Sequence, residues 1–570
     1  MHIAGKSRAV RRLTSEAGGS LFFLSSPNEA FHSGRCLEVA DLDERANDPS
    51  KVVYEAARSA VVRNAGTTES EKYLVQLGEK SFLNLWSYPS PFIDKKAGGK
   101  GDGKELCDLL VVCGDHVLIF SDKTIACPPS DDDQLSWKRW YKRAIAKSAE
   151  QIRGAERWIN TYPDRIFLDR LCTQPLPIRM PPPERRKVHG IVVALGAGNA
   201  CKDFFGGGIG SLMITPSIQG DAHWNADLVA PFAIGDVDPS GSFIHVLDDA
   251  SLDIALRELD TITDFASYLT KKEAIIRSQK LLVAGGEEDL VAYYTTHMNA
   301  QGEHDFTKPD GSTLGPDDKI GLQTGFYAEL TQNPQYVAKK KADRNSYVWD
   351  RLIEAFTTHM LAGTTIVPDG HTFDLAEHEQ GVRHMALVPR HMRRLLGDAI
   401  LEALEKGTSA DRFTRAVLPG PTEADQGTGY FFMTLSPPKF ELDGGYEQYR
   451  SVRRNMLEAY ALAFLRRYPQ LERIVGVATE PPSGDRKMGS SEDLIVVEVP
   501  EWTTELLSDL EERTKVFNIG QSGNHTEYAV QGNEFPSVPR KQEQRRFVGL
   551  NRQQRRAKLA KERREKKHRR

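Results

Sequence analysis

The sequence lacks long apolar runs and has few cysteines. No run approaches the roughly 18–20 residues that a membrane helix needs. The apolar stretch LFFL that follows the basic start MHIAGKSRAVRRL is also too short for the core of a secretory signal, so we expect a cytoplasmic protein. The six cysteines include no CxxC pair, which argues against a zinc ribbon and against a disulfide framework. Cys107 and Cys113 flank an apolar stretch and are predicted to be small core residues.

Charge is distributed unevenly along the chain. The net charge is −4, yet residues 551–570 hold eleven Lys and Arg against two Glu, about +9, which leaves about −13 on the other residues. A cluster of this size attracts polyanions through counterion release. We therefore expect the tail at 551–570 to bind nucleic acid or another polyanion; the alternative is a tail that only solubilises the chain.

The 570 residues are too many for one ordinary core. Alternating strand and helix patterns predict a multidomain α/β protein. We predict a first domain at 66–175, a second α/β domain at 186–335 and an α+β domain at 340–535. Residues 1–65 form a segment without a clear pattern, and residues 536–570 form a polar, basic tail that is predicted to be disordered.

Several elements are predicted inside these domains from apolar periodicity. Amphipathic helices are expected at 68–86 and 137–159. A strand is expected at 188–195, and a strand followed by a helix is expected over 243–269. In the last domain we expect helices near 347–361, 391–406, 449–468 and 502–515, and strands at 473–479 and 493–499.

Residues 104–123, KELCDLLVVCGDHVLIFSDK, predict a β-hairpin around a two-residue Gly114-Asp115 turn. With that turn, Asp108 faces Ser121, and period-two alternation places Asp108, Ser121 and Lys123 on one face of the open end. Asp122 then points to the opposite face.

This pattern resembles the PD-(D/E)xK, or restriction-endonuclease-like, nuclease superfamily over residues 68–160. The shared order is a helix with acids, a strand carrying Asp, a hairpin whose second strand ends in an acid and Lys, and a helix bearing Lys and Gln. The resemblance implies a mixed sheet flanked by helices in the first domain. It also implies carboxylates that hold Mg²⁺ or Mn²⁺ and a lysine that positions or activates the attacking water.

Carried over residue by residue, the resemblance gives Asp108 as the aspartate, Lys123 as the lysine, Glu71 or Glu79 as the helix acid, and Gln151 and Lys147 as the residues of the following helix. Asp108, Asp122 and Glu71 would hold the metal. The chain departs from the pattern at Ser121, which stands two residues before the lysine, where the second acid belongs.

Several alternatives are open at this departure. A β-bulge near 121–122 would turn Asp122 into the site, or Glu105 or a helix glutamate would supply the missing ligand. The domain would otherwise be an inactive relative, or the hairpin a plain structural one whose charges meet solvent.

The helix at 137–159 carries cations beside aromatic residues. Trp137 and Trp140 with the neighbouring Arg and Lys would suit stacking and phosphate contact. Alternatively, Trp140, Ile145, Ile152 and Trp158 are core residues and the cations form a solvated face.

We therefore expect a Mg²⁺-dependent nuclease-like protein that hydrolyses phosphodiester bonds, of DNA more than of RNA. The superfamily suggests a role in defence against foreign DNA. The main alternative is a non-catalytic nucleic-acid-binding or scaffold protein with an inactive nuclease-like fold. A third class, a nucleotide-using enzyme, would be centred on the glycine-rich stretch 196–208.

Overall fold

The structure is a computed structural model of the chain. It describes residues 21–25, 60–95, 103–225, 230–367, 373–420, 427–438, 445–482, 491–520 and 533–536. The predicted segment 1–65 and tail 536–570 therefore lie almost entirely outside the described residues. In the described part, helices alternate with strands of several sheets, which confirms the predicted α/β class. None of its helices is both long and apolar enough to cross a membrane.

The strands are short to medium in length. They are β1 Leu21–Ser25, β2 Ser87–Pro89, β3 Phe92–Ile93, β4 Lys104–Glu105, β5 Leu109–Cys113, β6 His116–Thr124, β7 Ile166–Phe167, β8 Lys187–Leu195, β9 Met213–Gln219, β10 Ala233–Asp236, β11 Ile244–Leu247, β12 Leu281–Ala284, β13 Ile320–Leu322, β14 Arg412–Val417, β15 Thr428–Leu435, β16 Arg473–Thr479 and β17 Asp493–Glu498.

The helices connect these strands and cover the sheets. They are α1 Glu69–Phe82, α2 Asp133–Tyr141, α3 Lys147–Thr161, α4 Gly198–Phe205, α5 Ala222–Asn225, α6 Ser251–Glu258, α7 Ile262–Arg277, α8 Glu287–Thr296, α9 Phe326–Gln332, α10 Pro334–Ala342, α11 Tyr347–Ala362, α12 Leu375–Ala386, α13 Arg390–Gly407, α14 Gly445–Arg467 and α15 Thr504–Val516. A π-helical turn, Lys142–Ala146, joins α2 to α3, and a 3₁₀ turn, Asp343–Ser346, joins α10 to α11.

The predicted hairpin is the centre of a five-stranded sheet with the order β11-β8-β6-β5-β2. Its register is the expected one, since Cys113 pairs with His116 and Leu110 pairs with Ile119. Gly114 has a φ of 60° at the turn, a left-handed conformation that glycine adopts at little cost. Strands β6, β8 and β11 run parallel, and β5 and β2 run antiparallel to their neighbours.

Helices pack against this sheet because the central parts of its strands are apolar. Every residue of β5 is buried, as are Cys107 and Cys113, which confirms them as core residues. Helix α1 contacts β5 and β6, and a Cβ on its Gly78 would lie only 2.7 Å from a methyl carbon of Leu109. Helix α3 packs against β6 and β8, where it buries Ile152.

The other strands form three further sheets. Their orders are β10-β9-β12-β13, β4-β3-β7 and, in the C-terminal part, β1-β17-β16-β15-β14. The predicted helices and strands of the last domain are present within one to four residues of their expected ends. Strands β8 and β11 belong to the same sheet as β5 and β6, so the domain boundary predicted between 175 and 186 lies inside a sheet.

A buried ion network joins the segment before α7 to helices α11 and α13. Asp350 accepts hydrogen bonds from Arg390 and Arg393, each at 2.6 Å, and Arg390 also pairs with Asp260 at 2.7 Å. All four side chains are more than nine-tenths buried. Since buried ions are costly without partners, this network requires each of its members.

We predict that Asp350→Ala lowers the free energy of unfolding by about 3–5 kcal/mol, because two buried guanidinium groups lose their shared carboxylate. Urea unfolding followed by circular dichroism measures the change. The control is Asp317→Ala, which removes an exposed aspartate and should change the midpoint little. Equal effects of the two substitutions would contradict the prediction.

Candidate active site at the open end of the hairpin

The candidate site lies where β5 stops pairing with β6. The last pair of the hairpin is Leu109 with Phe120, whereas β6 continues to Thr124 with β8 alone. Beyond this pair the N–H of Asp122 has no strand partner on the β5 side, and the carboxylate of Asp108 accepts it at 2.5 Å. The carboxylate of Asp108 thus lies beside the backbone edge of β6, between the two faces of the sheet.

Asp122 and Ser121 point to opposite faces of β6, as alternation predicts. The Ser121 hydroxyl donates to Oε1 of Gln151 on α3 at 3.3 Å. Asp122 instead interacts with the hydroxyl of Ser70 in the first turn of α1. The pairing of β6 with β8 continues without a register shift through these residues, so the bulge considered near 121–122 is not formed.

The acids of the site are close enough to repel one another. Burial raises the pKa of Asp108 and that of Asp122, and the negative charge of Glu71 raises both further. The ammonium of Lys123 lowers both pKa values, but the net shift remains upward. The ionised forms of both carboxyls are therefore less favoured than they would be in water.

Lys123 is half-buried at the end of β6, where its Nζ donates to the carbonyl oxygen of Asp122 at 3.1 Å. Glu105, on the neighbouring strand β4, also belongs to this group. Burial raises its pKa, as do the charges of Asp108 and Glu71, and Lys123 lowers it. Glu105 is thus near the site, as it must be if it supplies the ligand that Ser121 cannot.

Glu71 rather than Glu79 is the helix acid at the site. Glu79 forms an ion pair with Arg63 at 2.9 Å. The carboxylate of Glu71 accepts the N–H of Thr67 at 2.7 Å and of Thr68 at 3.3 Å, while Thr68 accepts the N–H of Glu71, so the two residues form a capping box. The sequence Thr68-x-x-Glu71 carries the signal for this structure, and the sequence reasoning missed it, as it missed Ser70.

The carboxylates of the candidate site meet some of the requirements of a hard divalent cation. Within the residues that the structure describes, no three His, Cys, Asp or Glu side chains are arranged as a complete metal site. However, Oδ1 of Asp122 is buried and has no hydrogen-bond partner. Mg²⁺ is commonly held by one or two carboxylates, with water and substrate phosphate as its other ligands. Asp122 and Asp108 are the two carboxylates that would supply that smaller set.

The aromatic residues of α2 are core residues. Trp137 and Trp140 are fully buried, and their indole N–H groups donate to the carbonyl oxygens of His223 and Ile125. The proposed base stacking on these two rings is therefore wrong. Arg139, Lys142, Arg143 and Lys147 are exposed, so the cations of this stretch do face solvent.

The glycine-rich stretch after β8 binds an internal anion. The carboxylate of Asp249 accepts the N–H groups of Gly196, Ala197 and Gly198 at 2.9–3.2 Å. Helix α4 begins at Gly198, within this stretch. A nucleotide phosphate would have to displace Asp249 from these N–H groups.

Comparison of the chain with protein-family models, with curated proteins and with solved structures finds no significant match.

We predict that Asp122→Asn raises the free energy of unfolding at pH 8 in EDTA, by on the order of 1 kcal/mol, because an amide is less costly to bury than a carboxylate. The pKa of Asp122 is higher in the fold than in the unfolded chain. Its favourable contribution is therefore complete below the unfolded pKa of about 4 and is lost as pH rises through the folded pKa.

The difference in the free energy of unfolding between Asp122→Asn and the parent chain should accordingly disappear near pH 4. Urea unfolding across pH 4–8 measures it. Asp115→Asn is the matched control in the same hairpin, since Asp115 pairs with the exposed Arg185 at 3.0 Å, and it should not stabilise the chain. A pH-independent effect of Asp122→Asn would argue against a buried, charged carboxylate.

Proposed function

We propose that the protein is a Mg²⁺-dependent nuclease-like enzyme that hydrolyses phosphodiester bonds of nucleic acid at the open end of the hairpin. The observation that carries the proposal is the crowding of Asp108, Asp122 and Glu71 against a single lysine, with one buried carboxylate oxygen left without a partner. A cation would lower the energy of this arrangement, and Mg²⁺ or Mn²⁺ suits carboxylate oxygens.

The order of elements supports the same function. Helix α1 carries Glu71, β5 follows Asp108, β6 ends with Asp122 and Lys123, and α3 carries Gln151. This is the order on which the resemblance to PD-(D/E)xK nucleases rests. DNA is the proposed substrate class, and defence against foreign DNA is the biological role that the superfamily suggests.

Each residue would have a distinct task. Asp108 and Asp122, with Glu71 or Glu105 at the margin, would hold the ion, which when bound offsets the negative charge that builds on the phosphate. The Lys123 ammonium would stabilise the same charge or orient the attacking water. The Ser121 hydroxyl lies between Gln151 and Asp108 and can donate to either of them, and its hydrogen bond to Asp108 lowers the pKa of that carboxyl.

A non-catalytic nucleic-acid-binding or scaffold protein is the second candidate. It is favoured because two of the proposed ligands already have hydrogen-bond partners within the chain. Asp108 accepts a backbone N–H, and Glu71 caps a helix. Ser121 also occupies the position where the family has its second acid. In this case the tail at 551–570 would supply most of the affinity for nucleic acid.

We predict that the purified chain cuts plasmid or single-stranded DNA with Mg²⁺ or Mn²⁺ and not with EDTA. Asp108→Asn and Lys123→Met should each reduce the rate at least about 100-fold, the size expected when a charge-stabilising group is removed. Gel electrophoresis of timed samples measures the rate.

Asp115→Asn and Lys187→Met serve as controls, because they alter charges at the other end of the same strands. Both should cut at the parent rate. Cutting that survives Asp108→Asn would contradict the assigned site. Binding without metal-dependent cutting, weakened by deletion of 551–570, would favour the scaffold.

A further inference from the structure

A short C-terminal segment is bound by basic side chains of the body of the protein. Residues 533–536 contact a group that we name the C-terminal socket, which consists of His304, Lys339, His391 and Arg394. Lys339 belongs to α10, His391 and Arg394 belong to α13, and His304 follows α8. The socket is thus assembled from three separate parts of the chain.

Arg394 binds the main chain of the segment. Its guanidinium donates to the carbonyl oxygen of Asn533 at 2.7 Å and to that of Glu534 at 3.0 Å. The Asn533 side chain accepts the N–H of Phe535 at 3.1 Å, which turns the segment tightly. Two consecutive carbonyls on one guanidinium fix both the position and the direction of the segment.

The side chain of Glu534 is bound by two cations. Its carboxylate lies 2.8 Å from Nε2 of His304 and 3.2 Å from Nζ of Lys339, and about nine-tenths of the side chain is buried. Lys339 also lies 6.0 Å from the centre of the Phe535 ring. The socket therefore recognises an acidic residue followed by an aromatic one.

The socket needs an anion to be stable. Asp343 accepts from both Lys339, at 2.7 Å, and Arg394, at 3.1 Å, so one carboxylate serves two buried cations. Burial alone would lower the pKa of His304, but the Glu534 carboxylate outweighs it and the net pKa is raised. Burial likewise opposes ionisation of Glu534, yet His304 and Lys339 hold its pKa far below the ordinary range.

We propose that the C-terminal socket is a peptide-binding site whose ligand is the chain's own segment Asn533–Phe535, and that this contact tethers the basic C-terminal tail to the body. The sequence continues for 34 residues beyond Pro536 and contains the eleven Lys and Arg of 551–570. Because the tail is attached to the body at this segment, the effective concentration of its cations is raised beside any polyanion that the body binds. The proposal is independent of whether the site at Asp108 cleaves.

The test places a photo-crosslinking p-benzoylphenylalanine at position 535 of the full-length chain, with and without Glu534→Lys. The control is Glu501→Lys, which reverses an exposed acid of the same C-terminal part. Irradiated samples are digested, and mass spectrometry identifies the linked peptides. Mixing ¹⁵N-labelled with unlabelled chains distinguishes links within one chain from links between two.

We expect links from position 535 to peptides covering 336–343 or 391–394 of the same chain, lost with Glu534→Lys and retained with Glu501→Lys. Links to unrelated peptides, or links that Glu534→Lys leaves unchanged, would overturn the socket as the binding site. Links only between differently labelled chains would overturn the tether, since the occupant would then belong to a second copy.

Discussion

A single hydrogen bond, from the N–H of Asp122 to the carboxylate of Asp108, determines the shape of the sheet at the candidate site. A buried N–H without an acceptor costs about 1–3 kcal/mol, so the end of β5 must provide one. Because the acceptor is a carboxylate rather than a carbonyl, the side chain of a second acid is placed beside Asp122, where the charge of Glu71 also acts on it. The backbone's need for an acceptor thus brings the acids together.

The sequence allowed prediction of what depends on local pattern. The hairpin register followed from the apolar runs around Gly114, since a two-residue turn fixes the pairing of a hairpin. Alternation then placed Ser121 and Asp122 on opposite faces. Contacts between segments distant in the sequence could not be predicted from local pattern. Ser70 and Glu105 reach the site through the packing of α1 and β4, and Arg390 reaches Asp260 across 130 residues. The burial of Trp137 and Trp140 also required the packing of α2 to be known.

The buried charges of the protein fall into two kinds. In the network of Asp260, Asp350, Arg390 and Arg393, each carboxylate faces a guanidinium at 2.6–2.7 Å, so the charges balance and the network joins helices. At the end of β6, by contrast, Lys123 is the cation that bears on Asp108, Asp122 and Glu105 together. Such an excess of negative charge lowers stability, and stability is commonly sacrificed where a ligand supplies the missing partner.

The C-terminal socket is also a cluster with unbalanced charge, but its excess charge is positive. There the body supplies an excess of cations, and the chain itself supplies the anion, Glu534, from a segment distant in sequence. The carboxylates at the end of β6 have no comparable cation among the described residues beyond Lys123. The protein completes one unbalanced cluster with its own chain and leaves a carboxylate oxygen of the other buried and unpaired. This contrast fits the proposal that a ligand from outside completes the second cluster. The unpaired carboxylate oxygen of Asp122, together with the sequence pattern, therefore supports the proposed binding of a metal and a phosphate at the end of the hairpin.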